Sequence, residues 1–105
     1  MKKIECIIRD KKLSELEEAL KAVGIRGMTV SDVKGFGNQQ TRPEAYLYLP
    51  KTKIEIFSTD DEVESIVEAI LKVCYSGRSG DGKVAVYEVQ DLIRVRTGER
   101  GEVAV

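Results

Sequence analysis

The sequence predicts an α+β fold formed by residues 1–105 as a single domain. Two segments carry apolar residues at helical spacing, and four others have the alternation or the β-branched content of strands. Their order along the chain is strand, helix, strand, strand, helix, strand, which is the βαββαβ arrangement of ferredoxin-like sandwiches. A length of 105 residues suits one domain of this kind.

The first part of the chain is predicted to form a strand, a helix and a second strand. Lys3–Arg9 shows the mixed alternation of a strand. The helix is predicted to end at Gly24, a typical C-cap glycine, and the second strand to cover Ile25–Val33, which is rich in β-formers. The apolar stripe of the helix consists of Leu13, Leu16, Ala19, Leu20 and Val23.

A loop over residues 35–50 separates the second strand from the third. It opens at Gly35 and closes at Pro50, a residue that disfavours pairing in a central strand. The third strand is expected over Lys51–Phe57, where charged residues alternate with isoleucines.

The remaining elements are a second helix, a glycine-rich loop and a fourth strand. Thr59 and Glu62 form a capping-box signature at the start of the helix. Ser76–Gly82 is expected to be a loop and Lys83–Val89 the fourth strand. Because the helices can cover only one face of the sheet and the other face also carries apolar residues, the pattern favours a closed oligomer.

Composition restricts the function. Lysine and arginine number 17 against 18 aspartate and glutamate, so a nucleic-acid partner is not expected. No apolar run approaches the roughly 20 residues of a membrane span, and we expect a cytoplasmic protein. The chain lacks histidine, which argues against an enzyme. Cys6 and Cys74 lie in apolar stretches without a metal-binding spacing and are expected to be buried thiols.

Two short patterns suit an anion. In Gly80-Asp81-Gly82-Lys83 the glycines would let backbone N–H groups approach an anion that the lysine neutralises, although a tight turn has the same composition. Arg94 and Arg96 would leave one face of an extended segment together and suit a polyphosphate, with a solvated strand edge as the alternative. Lys51 and Lys53 form a similar pair.

The C-terminal segment, residues 94–105, is dense in charge and glycine, a composition typical of disorder. It ends in the apolar, strand-like Val103-Ala104-Val105, which indicates instead that the tail is held against something, such as a neighbouring subunit.

Three blocks of the sequence resemble the PII nitrogen regulatory family, and the resemblance covers nearly the whole chain. The first runs from Gly27-Met28-Thr29-Val30 into Val33-Lys34-Gly35-Phe36-Gly37. The second joins Ser76-Gly77-Arg78 to Gly80-Asp81-Gly82-Lys83, and the third is Ile93-Arg94-Val95-Arg96-Thr97-Gly98-Glu99-Arg100-Gly101-Glu102. The resemblance implies a homotrimer whose intersubunit clefts bind ATP or ADP competitively, each cleft drawing residues from two subunits.

The resemblance also assigns residues to that cleft. Ile7, Thr29 and the backbone near Phe57 are expected at the adenine and ribose end. The residues expected around the ribose and the phosphates are Gly35, Phe36, Gly37, Asn38, Gln39, Gly80, Asp81, Gly82, Lys83, Arg94 and Arg96.

An acidic effector is implied as well. Members of the family bind 2-oxoglutarate through Mg²⁺ on the ATP phosphates, with a loop glutamine on the metal and a lysine near the acid, and Gln39 and Lys51 match these positions. Asn38 stands where the family has an arginine, which removes a cation and shifts the expected preference toward ADP or AMP.

The loop that would carry the signal, about residues 37–50, is shorter than the T-loop of the family by roughly half a dozen residues. Tyr46 and Tyr48 lack the context of the modifiable tyrosine, so uridylylation is not expected, and we interpret both as the packed base of the loop or an extension of the strand. A short loop also argues against plugging of an ammonium transporter.

The predicted function is therefore a nucleotide-sensing regulator of a protein target, in nitrogen metabolism. The alternative is a divergent PII-like sensor of inorganic carbon, binding bicarbonate with ADP or AMP, or of another metabolite. A nucleotide hydrolase is disfavoured because no general base is evident in the sequence. A ligand-free structural trimer is disfavoured because the glycine–lysine block and the arginine pair are both intact.

Overall fold

The described part of the chain forms one antiparallel sheet with two helices. A computed structural model describes residues 1–37 and 48–105. The four-stranded sheet has the order β2-β3-β1-β4. Its strands are β1 (Lys2–Ile8), β2 (Thr29–Gly35), β3 (Leu49–Ser58) and β4 (Lys83–Glu88), and the helices are α1 (Leu13–Ala22) and α2 (Val63–Cys74). This architecture confirms the predicted ferredoxin-like α+β fold.

The core lies between the two helices and one face of the sheet. Alternate residues of β1 point into it, so Cys6 is 1% exposed, and Cys74 at the end of α2 is 7% exposed. The prediction that both cysteines are buried free thiols is confirmed. Burial raises the pKa of the Cys6 thiol to about 12, which keeps it neutral at physiological pH. The other buried apolar residues are Ile4, Ile8, Leu16, Leu20, Ile54, Ile56, Val63, Ile66, Ile70 and Val73.

The predicted helix boundaries match the observed hydrogen bonds. After α1, the Gly24 amide donates to the Lys21 carbonyl at 3.0 Å and the Ile25 amide to the Leu20 carbonyl at 3.3 Å, the pattern of a Schellman cap. Gly24 has the positive φ of 88° that this cap favours. Before α2, the Thr59 amide donates to Glu62 Oε1 at 3.2 Å, as the capping-box signature predicted.

The second strand begins later than predicted. β2 starts at Thr29 rather than Ile25 and continues to Gly35. Ile25 belongs to the cap of α1, and both Ile25 and Met28 pack against the core from outside the sheet. Their apolar character therefore reflects core packing and not strand pairing.

The third strand begins earlier than predicted and contains the proline. β3 starts at Leu49, and Pro50 lies opposite Lys34 of β2. Pairing between β3 and β1 extends only to Thr52, which lies opposite Ile8. Pro50 is therefore paired on one side, where its missing N–H costs no hydrogen bond with a second neighbour.

The sheet face away from the helices is mixed in character. Ile7, Phe57 and Tyr87 alternate with the core-facing residues of their strands and are 38%, 42% and 45% exposed. At the centre of this face, Lys3 Nζ lies 3.3 Å from Glu55 Oε2 and 4.8 Å from the centroid of the Tyr87 ring. The predicted closed oligomer stays a prediction, and this is the face on which it depends.

The C-terminal segment is ordered, but it is not a strand. Ile93 forms an isolated bridge with Arg100, and Gly101–Ala104 is a short 3-10 helix where a strand-like end was expected. Gly98 and Gly101 adopt positive φ angles of 74° and 78°, which fold the tail back on itself. Among the described residues no helix is long and apolar enough to cross a membrane.

Candidate functional site

A cleft of about 430 Å³ opens at the end of the sheet where β1 and β2 finish and β3 and β4 begin. We call it the glycine cleft. Residues predicted from distant parts of the sequence meet here because strand pairing places Gly35 beside Leu49 and Ile7 beside Lys83. The lining consists of Ile7, Gly35, Phe36, Gly37, Leu49, Lys51, Ser79, Gly80, Gly82 and Lys83.

An aromatic contact joins the residue that follows β2 to the residue that precedes β3. The rings of Phe36 and Tyr48 lie edge to face with centroids 5.6 Å apart. Tyr48 thus contributes to the base of the loop, in line with the interpretation from sequence. Asn38, Gln39 and Tyr46 lie outside the described residues.

Gly82 allows the glycine-rich loop to lie directly on β1. Its φ is +107°, and a Cβ atom at this position would be 1.9 Å from the carbonyl oxygen of Ile7. Packing on the strand therefore explains this glycine without any ligand. Gly80, with a φ of 97°, has a second backbone conformation that residues other than glycine rarely adopt.

Two lysines bring positive charge to the glycine cleft. Lys51 Nζ donates to the carbonyl oxygen of Gly80 at 3.1 Å, which links β3 to the glycine-rich loop. Lys83 also lines the cleft, and its side chain forms no hydrogen bond or ion pair with any residue in the ranges 1–37 and 48–105. A cation without an internal counter-charge, beside glycine backbone, is the arrangement that an anion site requires.

Asp81 faces the loop rather than this cleft. Its Oδ2 accepts hydrogen bonds from the amides of Ser76 and Gly77 at 2.8 and 2.9 Å, and its Oδ1 lies 2.5 Å from Nη1 of Arg9. The hydrogen bonds from Ser76 hold the pKa of the Asp81 carboxyl well below its usual range, with Arg9 and Gly77 acting in the same direction. The side chain lines a separate, apolar cleft of about 410 Å³ between α2 and β4.

Thr29 and Phe57 share a sheet face with Ile7 but lie farther along their strands. Thr29 is opposite Glu55, and Phe57 is opposite Lys3, four positions from Ile7 along β1. Neither residue is part of the described lining of the glycine cleft.

The two tail arginines are arranged differently from the prediction. The amide of Gly98 donates to the Arg94 carbonyl at 2.7 Å and the Arg94 amide to the Glu99 carbonyl at 2.9 Å, so the chain turns at residues 95–97. Arg94 and Arg96 therefore do not lie on one face of an extended strand. Arg94 also binds Glu99 Oε1 at 3.1 Å and the Val103 carbonyl at 3.1 Å, outside the described lining of the cleft.

The ion pair between Arg9 and Asp81 was not predicted from the sequence. Arg9 follows β1 directly and reaches Asp81, which is 72 residues away in the sequence. No local spacing connects two residues so far apart. Only the pairing of β1 with β4, which sets Ile7 opposite Lys83, shows that Arg9 must lie near the glycine-rich loop.

Comparisons with known proteins point to one family. The sequence model described as "Nitrogen regulatory protein P-II" matches residues 1–99. Proteins of that name from Pasteurella multocida (strain Pm70) and Klebsiella oxytoca are each 47% identical to this chain, with 100% of both sequences aligned. The nitrogen regulatory protein P-II 1 of Escherichia coli (strain K12) is 46% identical with the same complete coverage.

These alignments also reveal a difference in length. They run over 112 residues, which exceeds the 105 residues of this chain by seven, so the relatives have positions that this chain lacks. The difference has the size predicted for the shortened loop.

Proposed function

The chain belongs to the nitrogen regulatory protein P-II family, and from this premise we propose that it binds adenine nucleotides in clefts between the subunits of a homotrimer. It is a signalling protein of nitrogen regulation and not an enzyme. ATP and ADP are the proposed ligands, and AMP is a further candidate. The proposed site of action is the cytoplasm.

One observation carries the proposal: glycine backbone and two lysines converge in the glycine cleft. Lys83 has no counter-charge among the described residues, and Lys51 lies on the same lining. Phosphate groups supply the negative charge and the hydrogen-bond acceptors that such a lining lacks. A volume of about 430 Å³ falls within the range of small-ligand clefts.

The remaining contacts are proposed to come from two subunits. Gly35–Gly37 and Gly80–Lys83 of one subunit hold the ribose and phosphates, and Ile7, Thr29 and the backbone near Phe57 lie at the adenine and ribose end. Arg94 and Arg96 lie outside this cleft within their own chain, which supports their supply by a neighbour. Asn38 and Gln39, outside the described residues, complete the proposed set.

An acidic effector is proposed to bind beside the nucleotide. Within residues 1–37 and 48–105 no group of three or more acidic or cysteine side chains is arranged to hold a metal ion. Mg²⁺ would therefore depend on the nucleotide phosphates and on Gln39, and would supply charge neutralisation between phosphates and effector. Lys51 is proposed to bind the carboxylate of the effector, which is 2-oxoglutarate in the leading hypothesis.

The loop at residues 37–50 is proposed to report the occupancy of the cleft to a protein target. Both of its ends line the cleft, through Gly37 on one side and Leu49 on the other. A ligand that contacts these ends binds one loop arrangement better than another, and this difference in affinity is what shifts the loop population.

Calorimetry with ATP, ADP and AMP tests the proposal. We expect low-micromolar binding of at least one nucleotide, and a loss of about tenfold or more in affinity in Lys83→Ala because a charge-assisted phosphate contact is removed. Lys72→Ala, which removes an exposed lysine of α2, is the matched control and should bind as the wild type does. The absence of both heat and thermal shift with all three nucleotides would refute the proposal.

The alternative effector is bicarbonate, and the observation behind it is that this chain is seven positions shorter than the alignment with its relatives. Titration of 2-oxoglutarate into the Mg-ATP complex should release heat if the protein senses nitrogen status through that acid. Titration of bicarbonate into the ADP or AMP complex should do so if it senses inorganic carbon. The acid that binds identifies the signal.

A further inference from the structure

Arg9 joins the end of β1 to the loop at residues 76–82. Its Nη1 lies 2.5 Å from Asp81 Oδ1 and 3.4 Å from Ser76 Oγ, and its Nη2 donates to the Ser79 carbonyl at 2.6 Å. The Arg9 and Asp81 side chains are each 22% exposed, so their ion pair is partly shielded from water. One guanidinium therefore contacts the loop at three residues.

The loop is folded around the carboxylate that Arg9 neutralises. Asp81 Oδ2 accepts from two successive amides, those of Ser76 and Gly77, and Oδ1 also binds the Ser76 hydroxyl. Lys51 Nζ donates to the Gly80 carbonyl at 3.1 Å. Arg9 binds the Ser79 carbonyl and the Asp81 carboxylate, and Lys51 binds the Gly80 carbonyl between them, so the two cations hold three successive residues of the loop.

We propose that Arg9 is a positioning residue for anion binding, which orders the loop so that the backbone of Gly80–Lys83 faces the glycine cleft before a ligand arrives. This inference rests on the proposed function. Arg9 is not part of the described lining of the cleft, so it acts through the loop and not by touching the phosphates. An ordered loop binds more tightly because the ligand does not bear the entropic cost of ordering it.

Arg9 has a second, electrostatic effect. Asp81 stands between Gly80 and Gly82, both of which line the cleft. Without Arg9 the Asp81 carboxylate would lose its paired cation beside the proposed phosphate site, and like charges repel. Both effects predict weaker binding of anions when Arg9 is lost.

The test compares three variants of the full-length protein. Arg9→Gln removes the charge and the fork of donors, and Arg9→Lys keeps the charge but not the planar fork that reaches Asp81 and Ser79 together. Arg26→Gln is the matched control, because Arg26 forms an ion pair with Glu62 at 3.1 Å near the start of α2. For each variant we would measure the rate of hydrogen–deuterium exchange of the amides at residues 76–82, and the affinity for ATP by calorimetry.

In Arg9→Gln we expect faster exchange confined to residues 76–82 and ATP affinity lower by about tenfold, which corresponds to about 1.4 kcal/mol. Arg9→Lys should be intermediate, and Arg26→Gln should match the wild type in both measurements. The proposal would be overturned if the loop of Arg9→Gln exchanged as in the wild type, or if that variant bound ATP with wild-type affinity. Faster exchange throughout β1 and α1 would also overturn it, because the effect would then not be confined to the loop. If the wild type binds no nucleotide, the proposed function fails, while loop exchange in Arg9→Gln still decides whether Arg9 orders the loop.

Discussion

At the scale of single residues, Gly82 is the position whose identity the backbone constrains most directly. A side chain here would meet the Ile7 carbonyl at 1.9 Å and would sit at a φ of +107°. Gly82→Ala is therefore expected to destabilise the protein by about 1–3 kcal/mol through backbone strain, and to weaken nucleotide binding because the loop shifts away from β1. Urea unfolding and calorimetry measure the two effects.

Gly27→Ala is the control for this substitution. An added Cβ at Gly27 has no atom within 4 Å, and the residue lacks the positive φ that disfavours alanine. Its stability should stay within about 0.5 kcal/mol of the wild type. Equal stability of the two alanine variants would show that the glycine-rich loop does not pack on β1 in solution.

At the scale of elements, substitutions before and within α2 test whether the capping contacts contribute to the stability of the fold. The Thr59 hydroxyl lies 2.6 Å from carboxylate oxygens of both Asp61 and Glu62, and the Thr59 amide donates to Glu62. Thr59→Ala should lower the free energy of unfolding by about 1 kcal/mol. Ser65→Ala, which removes a hydroxyl that donates to the Glu62 carbonyl at 3.0 Å, should be near neutral.

The same cap has a predicted pH dependence. The hydrogen bonds with Thr59 lower the pKa of Glu62 from its ordinary value of 4.5. A lowered pKa means that this stabilisation is complete above pH 4.5 and is lost as the pH falls through the lower, folded value. The stability difference between wild type and Thr59→Ala should accordingly shrink on acidification in urea unfolding series, and a difference that stays constant would contradict the assignment.

The elements also show how far the sequence could predict the structure. Period and capping predicted both helices, because Gly24 and the Thr59–Glu62 pair are local signals. The predicted ends of β2 and β3 were wrong where tertiary packing sets them. Ile25 packs against the core instead of pairing in β2, and Pro50 can pair with β2 because the β1 pairing of β3 ends at Thr52. In the site, the local pattern Gly80-Asp81-Gly82-Lys83 indicated the glycines and the lysine, whereas Arg9 required knowledge of which strands pair.

At the scale of the whole molecule, the apolar side chains on the open sheet face and the position of the tail arginines both support the proposed trimer. Ile7, Phe57 and Tyr87 lie on the face that the helices leave uncovered, and burying them between subunits would remove that apolar area from water. We expect a solution mass of three times the 11.7 kDa of one chain. Light scattering measures this directly, and a monomer would contradict the proposed site as well as the assembly.

A mixing experiment asks whether each cleft is shared between two subunits. Lys83→Ala and Arg96→Ala should each bind nucleotide weakly. Arg96 is the better arginine to remove because it makes no hydrogen bond or ion pair with the described residues, whereas Arg94 binds Glu99 and Val103 in the tail. If the lysine and the arginine of a cleft come from different chains, random trimers of the two variants regain about one intact cleft in four. If both come from one chain, every cleft carries a defect and no tight binding returns. Calorimetry of co-refolded mixtures distinguishes these outcomes, because recovered sites should bind with wild-type affinity and reduced stoichiometry. Each variant refolded alone is the control.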